Sequence, residues 1–335
     1  MVTIKDIAKL ANVSHTTVSR ALNNSPLIKG PTKKKILEIA SQLNYSPNYN
    51  AKSLVMQKSH TIGLFLTSIS NGTSASFLAD TIKGVNAAIS QEYNLFIRGI
   101  DDYEDYSSIN PQRFDGIIVM SQSIQDHSFI YHVLQKKIPI IVLNREIEED
   151  YIMNILSDDK EGSRQAVQYL IDCGHKDIGI IEGTPSFKSA QMRKEGYLTA
   201  LIDNHFPIQQ EYSVNGNYDM ESGYKGMEKL LLLGKPPTAV FCSNDDMAIG
   251  AMNAVYAHGL SVPDDISIVG FDDSGFAQYT TPGLTTVKRP VEQISYLGAK
   301  NILSLVTGKE VTLEKVYVNT ELIIRKSVKS IEKRC

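Results

Sequence analysis

The sequence predicts a small all-α unit followed by a larger α/β body built on parallel sheets. In the first 45 residues, apolar residues recur at helical spacing. From residue 61 onward, short uninterrupted apolar segments alternate with helical stretches, a pattern typical of parallel strands that are covered on both faces. A chain of 335 residues with 42% hydrophobic residues is long enough for two or three globular units.

The first helical segment, residues 3–22, reads as two short helices joined by a tight turn. Thr3 can cap the first helix, and Asp6 follows three residues later at its positive end. Residues 12–14 break the pattern, and Ser14 is a good cap for a second helix that extends to about residue 23. With Val18, Ala21 and Leu22 facing inward, the outward face carries His15, Thr16, Thr17, Ser19 and Arg20.

Such a pair of helices is typical of a helix-turn-helix, in which residues near the start of the second helix contact DNA bases. His15 and Thr16 occupy that position, and Arg20 can offer a bidentate fork to guanine O6 and N7. Thr17 and Ser19 suit phosphate oxygens, which position a protein without reading sequence. A small three-helix packing module with a polar outer face is the alternative interpretation.

A third helix is predicted after Gly30 and Pro31, with lysines at 33–35 near its start. Lysines there oppose the helix dipole, so we expect a compensating anion such as a DNA phosphate. In the next segment, residues 45–54, Pro47 suits a first helical turn. About nine residues are too few for a stable isolated helix, so we expect this segment to order only when something holds it.

Positive charge is concentrated at the same end of the chain. Residues 1–60 hold nine lysines and arginines and two acids, a net charge of +7, whereas the remainder has 25 basic and 35 acidic residues, a net charge of −10. A basic head on an acidic body indicates polyanion binding confined to one end. Solvated surface lysines are the alternative explanation of the charge alone.

Together these residues resemble the DNA-binding head and hinge of the lactose/galactose repressor (LacI/GalR) family over residues 3–58. The base-contacting positions of the family fall on His15, Thr16 and Arg20, and its hinge-helix motif falls on residues 51–54. The resemblance implies that Lys52 and Leu54 belong to the DNA-binding surface. It also implies that Leu54 wedges into the minor groove and kinks the operator, where unstacking is offset by wider contact.

In the body, the residues that follow strands are the candidates for ligand binding, because ligands in parallel α/β folds bind at the carboxyl ends of strands. Those candidates are residues 68–71, 144–145, 244–245 and 272–273. The predicted strands are 62–67, 95–98, 116–120, 138–143, 178–182, 239–243 and 266–271, and the predicted helices include 162–172, 220–233 and 247–258.

Several functional classes are not expected. The body has no Walker, GxGxxG, HExxH or GxSxG motif, and acid pairs such as Asp245-Asp246 are read as helix caps or hydroxyl acceptors, so we expect no enzyme, no catalytic residue and no cofactor. The three cysteines have no metal-ligand spacing and cannot all pair, which predicts a reducing cytoplasm and no metal site. No apolar run approaches the ~18–20 residues of a membrane span, and the polar N-terminus does not resemble a signal peptide.

The body resembles the effector domain of the same family, which is similar to periplasmic sugar-binding proteins: two α/β subdomains, a cleft between them and three crossovers. Three motifs carry the resemblance, at residues 174–179, 237–245 and 269–273. It implies a helix-turn-helix domain at 1–45, a hinge at 46–59 and an effector-binding and dimerisation domain at 60–335. Within that domain, the N-terminal subdomain takes about 60–157 and 290–320, and the C-terminal subdomain takes about 158–289 and the C-terminal segment.

Carried over from the family, the cleft residues are Arg193, Asn244, Asp272 and a stacking ring at Tyr218. Arg donates and Asp accepts hydrogen bonds to vicinal hydroxyls, while a ring covers the apolar face of a sugar. Asn71 and Phe77 are the candidates on the N-terminal wall, where residues 70–78 depart from the family by being longer and carrying one aromatic residue. For each residue alone, a surface or capping role is the alternative.

Two further departures affect what can be transferred. Ser157-Asp158 stands where many members carry Asp-Asn, so the effector cannot be borrowed from a relative. Residues 99–111 have room for about one turn, where members fit a full helix that helps to form the dimer interface. The geometry of the dimer is therefore less defined by the resemblance than the fold is.

The sequence thus predicts a cytoplasmic transcriptional repressor that binds a palindromic operator as a homodimer and responds to a small molecule. A sugar or sugar phosphate is the expected effector, and genes of carbohydrate utilisation are the expected targets. A catabolite-control regulator with a phosphoprotein corepressor is the closest alternative. A solute-binding protein and a carbohydrate-active enzyme are more distant ones.

Overall fold

The computed structural model describes residues 2–22, 25–43, 45, 59–89, 93–149 and 151–331. The chain divides into two units, Met1–Lys58 and Ser59–Cys335. Within the described ranges, no helix is long and apolar enough to cross a membrane.

The described part of the first unit contains helices α1 (Ile4–Ala11), α2 (His15–Leu22) and α3 (Gly30–Gln42). The Asp6 carboxylate accepts hydrogen bonds from the Thr3 backbone amide at 2.8 Å and hydroxyl at 2.7 Å. At the start of α2, the Ser14 hydroxyl oxygen accepts a hydrogen bond from the Thr17 backbone amide at 3.1 Å, which confirms the predicted cap. The apolar sides of the helices pack together around the fully buried Ile7, Val18 and Ile36.

The second unit contains two six-stranded sheets in its described part. The first has the order β11-β5-β4-β3-β1-β2 and is entirely parallel. The second has the order β12-β10-β9-β8-β6-β7, with one antiparallel pair, β10 and β12. The strands are β1 (Thr61–Leu66), β2 (Asn94–Gly99), β3 (Gly116–Met120), β4 (Ile140–Leu143), β5 (Met153–Ser157), β6 (Ile178–Glu182), β7 (Ser213–Asn215), β8 (Ala239–Cys242), β9 (Ser267–Asp272), β10 (Thr285–Lys288), β11 (Lys315–Val318) and β12 (Glu321–Ile323).

Each sheet is covered by helices on both faces, which explains why its central strands are apolar throughout. We call the first sheet and its helices the N-terminal subdomain and the second sheet and its helices the C-terminal subdomain. The former has α4 (Ala75–Ala88), α5 (His127–Gln135) and α10 (Val291–Val306); the latter has α6 (Asp159–Asp172), α7 (Lys188–Asp203), α8 (Met220–Leu231) and α9 (Asp245–Ala257).

The chain crosses between the subdomains three times, after β5, after β10 and after β11. The strands that the crossovers connect lie side by side: β5 and β11 lie at one edge of the first sheet, and β10 and β12 lie at one edge of the second. The expected fold class, a helical head followed by two parallel α/β subdomains, is confirmed.

The segment after β2 contains a single 3-10 turn, Ile100–Asp102, where a full helix would need more residues. The rest of the segment is fixed by packing: Ile109 is fully buried, and the Tyr106 ring meets the Phe129 ring edge-on with centroids 5.2 Å apart. The expectation of about one turn is therefore correct, and aromatic residues fill the space that a helix would occupy.

Candidate functional site

Helix α2 presents the predicted DNA-reading side chains on one side. His15, Thr16 and Arg20 are exposed, whereas Thr17 and Ser19 are half-buried. The Thr17 hydroxyl also lies 2.8 Å from the Ser14 hydroxyl, so it takes part in the cap of α2. An exposed fork at Arg20 and a cap at the start of the helix fit the geometry by which a second helix enters the major groove. The base and phosphate contacts themselves remain predictions.

One of the lysines near the start of α3 has an intramolecular role. The Lys35 ammonium donates to the carbonyl of Ala11, the last residue of α1, at 3.2 Å. A lysine at a helix C-terminus is stabilising because the terminal carbonyls carry partial negative charge. Lys35 thus has an acceptor within the head, and a DNA phosphate as the compensating anion for the lysines at 33–35 stays a prediction. The predicted hinge residues Lys52 and Leu54 lie outside the described residues.

In the second unit, side chains from both subdomains meet where the strands end. The N-terminal subdomain contributes Gly72, Thr73, Ser74, Phe77, Gln122 and Asn144; the C-terminal subdomain contributes Ser189, Arg193, Tyr218, Asn244 and Asp272; and a crossover contributes Arg289. The space left among them is only about 20 Å³, room for about one water molecule. A larger molecule can enter this cleft only if the subdomains separate or side chains move.

A buried ionic cluster forms the floor of the cleft. The Asp159 carboxylate accepts from Arg193 Nε at 3.0 Å and from Arg289 Nε at 3.2 Å. Arg193 Nη2 also lies 3.4 Å from Asp272 Oδ1, and Arg193 Nη1 donates to the Ser243 carbonyl. The three side chains of the Asp159 pairs are each less than 8% exposed. The cluster therefore joins the start of α6, the middle of α7 and a crossover.

Burial and charge act in opposite directions on these carboxylates. Burial alone would raise the pKa of Asp159, but the guanidiniums of Arg289 and Arg193 hold it below its usual range. For Asp272 burial dominates and raises the pKa to about 6, although Arg193 and Arg289 oppose the shift. Asp159 is therefore a fixed negative charge, whereas Asp272 titrates just below neutral pH.

The predicted stacking ring has a defined position. Tyr218 is 7% exposed, its hydroxyl lies 3.1 Å from the Ser189 hydroxyl, and its ring stacks on Phe187 at 6.1 Å between centroids and 20° between planes. A Cβ on Gly183 would lie 2.1 Å from this ring, so the close approach requires glycine there. One ring face is thus backed by protein.

Asn244 combines a capping and a lining position. Its amide oxygen accepts from the Met247 backbone amide at 2.9 Å and caps α9, and its amide nitrogen donates to the Tyr218 carbonyl at 3.0 Å. Its neighbour Asp245 is buried and faces away from the cleft, accepting from the Ser274 backbone amide at 2.6 Å and from the Thr286 hydroxyl. Burial raises the pKa of Asp245 to about 8.

The opposite wall is made of Phe77 and two amide side chains. The Arg289 guanidinium lies 5.4 Å from the centroid of the Phe77 ring and donates to the Asn144 amide oxygen. Gln122 is 5% exposed, and its Oε1 has no hydrogen-bond partner within the described part of the chain. Because a buried acceptor without a donor is unfavourable, Gln122 Oε1 is an open position for a ligand donor.

Five of the six predicted effector residues therefore line one cleft: Phe77, Arg193, Tyr218, Asn244 and Asp272. Asn71 is exposed and lines an adjacent cavity of about 350 Å³ near Tyr103 and Tyr106. Sequence reasoning did not select Gln122, Ser189, Asp159 or Arg289. Gln122 could have been found, because it lies two residues after the end of the predicted third strand. Within the described ranges, no group of three or more His, Cys, Asp and Glu residues could hold a metal ion.

Comparison with known proteins agrees with both units. Residues 3–48 match the family described as "Bacterial regulatory proteins, lacI family", and residues 167–328 match "Periplasmic binding protein-like domain". The chain is 69% identical over 331 residues to the "Probable HTH-type transcriptional repressor ExuR" of Bacillus subtilis (strain 168), covering 99% of both chains. It is 36% identical to the "HTH-type transcriptional repressor PurR" of Proteus mirabilis (strain HI4320), covering 98% of this chain and 97% of that one.

Two solved structures resemble the whole fold. The lac repressor dimer bound to operator and the anti-inducer ONPF has a TM-score of 0.84 at 27% identity and covers 98% of this chain and 99% of its own. The complex of the regulator CelR with cellobiose has a TM-score of 0.74 at 25% identity, with coverages of 98% and 100%. With a helix-turn-helix head, a cleft between two parallel subdomains and a relative 69% identical over nearly its whole length, the chain belongs to the lacI family of bacterial regulatory proteins and is a transcriptional repressor with an effector-binding domain, not an enzyme.

Proposed function

We propose that this repressor is controlled by a carbohydrate that binds in the cleft lined by Arg193, Asp272 and Tyr218. The observation that carries the proposal is the pairing of a buried guanidinium and a carboxylate with two aromatic rings, Tyr218 and Phe77, at the same strand ends. Vicinal hydroxyls match a fork donor and a carboxylate acceptor, and the apolar face of a sugar ring matches an aromatic side chain.

Further donors and acceptors suit the same ligand class. Gln122 Oε1 is buried and open, and Arg289 can exchange its bond to Asn144 for a bond to a ligand. CelR in complex with cellobiose and the lac repressor in complex with ONPF share the fold, which supports a carbohydrate or glycoside here. Because the cleft contains two arginines, a charged sugar such as a sugar phosphate belongs in the set of candidates.

For DNA, we propose that two copies bind a palindromic operator through α2, since a two-fold dimer matches two half-sites. His15, Thr16 and Arg20 would contact bases, Thr17 and Ser19 would contact phosphates, and Lys52 and Leu54 would act at the centre of the operator. Residues 1–45 serve as the reading head, 46–59 as the hinge and 60–335 as the effector-binding and dimerisation domain. The protein acts where its DNA is, in the cytoplasm.

Control follows from the closed cleft. With only about 20 Å³ available, a sugar needs more room than the cleft offers, and the room comes from a change in the relation of the subdomains, which in turn alters the affinity for operator. Binding at the two sites is then coupled by one reciprocal factor, typically about 5- to 150-fold. The repressor regulates genes for use of the carbohydrate that it binds.

The test is a titration of operator DNA, selected in vitro from random sequence with the purified protein. Fluorescence anisotropy is measured with and without each member of a panel of neutral sugars and sugar phosphates. We expect one compound to shift the operator dissociation constant, and the Asp272→Asn variant to lose this shift while binding operator normally. If no compound shifts the wild-type curve but a cell extract does, a protein corepressor replaces the carbohydrate proposal.

A further inference from the structure

We propose that the repressor has a second ligand site, for a phosphate-type oxyanion, on the other side of the wall that bounds the effector cleft. The site is a cavity of about 620 Å³ that lies between the two subdomains. The N-terminal subdomain lines it with Arg145, His127, Glu146, Glu148, Ile124 and Ile147, and the C-terminal subdomain with Ser186, Lys188 and Gln191. It is much larger than the 20 Å³ left in the effector cleft. No side chain of the effector cleft lines it.

Arg145 is the residue that requires a ligand. It is 5% exposed, as buried as Arg193 and Arg289, but those two are each within 3.2 Å of Asp159. Within the described residues, no carboxylate lies within ion-pair distance of Arg145. A buried charge without a counterion is strongly unfavourable. An anion that paired with Arg145 would remove this unfavourable free energy, which favours its binding.

The guanidinium of Arg145 is held through two of its three nitrogens, Nε and Nη1, and Nη1 also donates to the Glu146 carbonyl at 3.4 Å. Its Nε donates to the Ser121 hydroxyl at 2.8 Å, and its Nη1 lies 3.1 Å from His127 Nε2. Because arginine only donates, His127 Nε2 is the acceptor in this contact. Nη2 is buried and has no partner in the described part of the chain. Burial lowers the pKa of Arg145, which Asp126 and Glu149 only partly oppose from a distance.

The nearby acids, of which Glu146 and Glu148 line the cavity, do not pair with Nη2. Glu146 pairs with Lys315 at 3.2 Å, and Glu148 is exposed to solvent. Glu149 accepts from the Tyr131 hydroxyl, and this hydrogen bond chiefly holds its pKa below the usual range. Asp126 accepts from the hydroxyls of Thr67 and Ser121 at 2.6 and 2.7 Å. Three of the four carboxylates are thus engaged elsewhere, and the remaining one is screened by water.

The other side of the cavity supplies further donors. Lys188 is half-buried and has no ion pair within the described ranges, and Gln191 and Ser186 add an amide and a hydroxyl. A guanidinium fork with an ammonium and neutral donors is the set that phosphate oxygens prefer. Among the described residues, neither a phenylalanine nor a tyrosine lines the cavity, which distinguishes it from the effector cleft and favours a compact anionic group over a sugar ring.

Binding there would act on the same movement as the effector. The Lys188 backbone amide donates to the Gln122 carbonyl at 2.9 Å, and Ser123 pairs with Phe187 as a β-bridge, so this backbone contact already joins the subdomains. Arg145 and Lys188 lie on its outer side, while their chain neighbours Asn144 and Ser189 line the effector cleft. An oxyanion between Arg145 and Lys188 would strengthen the joined arrangement and change effector affinity.

The test is isothermal titration calorimetry of the full-length protein in a phosphate-free buffer at constant ionic strength. Three probes are used: inorganic phosphate, glucose 6-phosphate and glucose. We expect saturable binding of a phosphate compound at one site per chain, and Arg145→Gln and Lys188→Gln to weaken it by roughly 10- to 100-fold. Lys194→Gln on the same helix, whose ammonium pairs with Glu182, is the matched control and should leave binding unchanged. Binding of inorganic phosphate would identify the free ion as the source, and binding of glucose 6-phosphate alone a phosphorylated metabolite.

Three results would overturn the proposal: no saturable binding of either phosphate compound, equal binding by wild type and both variants, or loss of binding in Arg289→Gln but not in Arg145→Gln, which would place the anion in the effector cleft. If Arg145→Gln does not fold, the half-buried Lys188→Gln still decides. The variants separate this outcome from the proposed carbohydrate: Arg145→Gln and Lys188→Gln report on this cavity, whereas Arg289→Gln reports on the effector cleft.

Discussion

Replacing Asp159 by asparagine should destabilise the body of the protein more than any neighbouring change of the same chemistry. The Asp159 carboxylate is the shared partner of two buried arginines, at 2.9 Å from Arg193 and 3.2 Å from Arg289. Asparagine keeps the shape but removes the charge. Arg193 then retains Asp272 at 3.4 Å, whereas Arg289 retains only the neutral partners Ser157 and Asn144.

The magnitude follows from what remains unpaired. Removing one partner of a buried ion pair costs about 3–5 kcal/mol, and because Arg193 keeps a second carboxylate we expect the lower end, ~3 kcal/mol. The pKa of Asp159 is lowered in the folded protein, so its contribution is present above the pKa of the unfolded chain. It is lost as pH falls through the lower folded value. The difference between wild type and variant should therefore be full at pH 7 and shrink below about pH 4.

Urea unfolding followed by far-ultraviolet circular dichroism measures this difference. The matched control is Asp158→Asn, one residue earlier. Asp158 caps α6 by accepting from the Glu161 backbone amide at 3.0 Å, and asparagine caps as well as aspartate, so we expect a change within about 0.5 kcal/mol. A loss below 1 kcal/mol in Asp159→Asn, or equal losses in both variants, would show that the cluster is not held by charge.

Three further predictions concern DNA, effector and pH. Arg20→Ala should relax specificity at one base pair by ~1–3 kcal/mol in a competition binding assay, and an equal loss on all sequences would mean that it contacts only phosphate. Effector affinity measured by calorimetry should fall as pH drops below 6, because Asp272, with its pKa raised to about 6, is then protonated and loses its acceptor. Asp272→Asn should give a flat profile. Asp245→Asn should abolish the decline in stability between about pH 4 and 8 that follows from raising the pKa of Asp245 to about 8. At pH 9 the free energy of unfolding of Asp245→Asn should exceed that of wild type by about 2 kcal/mol or more. Thermal melts measure this, and the same dependence of stability on pH in both proteins would contradict it.

Most of the strands that could be predicted are buried, and the exception is β2, an edge strand that is partly exposed. The seven uninterrupted apolar segments correspond to β1, β2, β3, β4, β6, β8 and β9. Strand β5 was missed because Asn154 interrupts its apolar run. That residue is fully buried and donates from its amide to the carbonyls of Val142 and Arg145 at 2.9 and 3.0 Å. Strands β11 and β12, which are also partly exposed edge strands, were not predicted.

The residues of the site also differ in whether the sequence alone could identify them. Residues that follow central strands, such as Asn244 and Asp272, could be selected because the carboxyl ends of parallel strands mark ligand sites. Arg289 could not, because it follows β10, which has no apolar signature of its own. Asp159 could not, because its importance depends on pairing with a residue 130 positions away, and a single sequence does not show which distant charges meet.

The three crossovers are bonded to one another. Arg289 in the second donates to Ser157 and Asp159 around the first, and the Thr320 hydroxyl in the third donates to the Asp158 carbonyl at 3.3 Å. The same Arg289 lines the cleft. Its guanidinium therefore belongs both to the crossovers, which form the pivot between the subdomains, and to the binding surface. A molecule that draws Arg289 away from Asp159 therefore changes the stiffness of the pivot itself. Substitutions at the crossovers should therefore change responsiveness and affinity together.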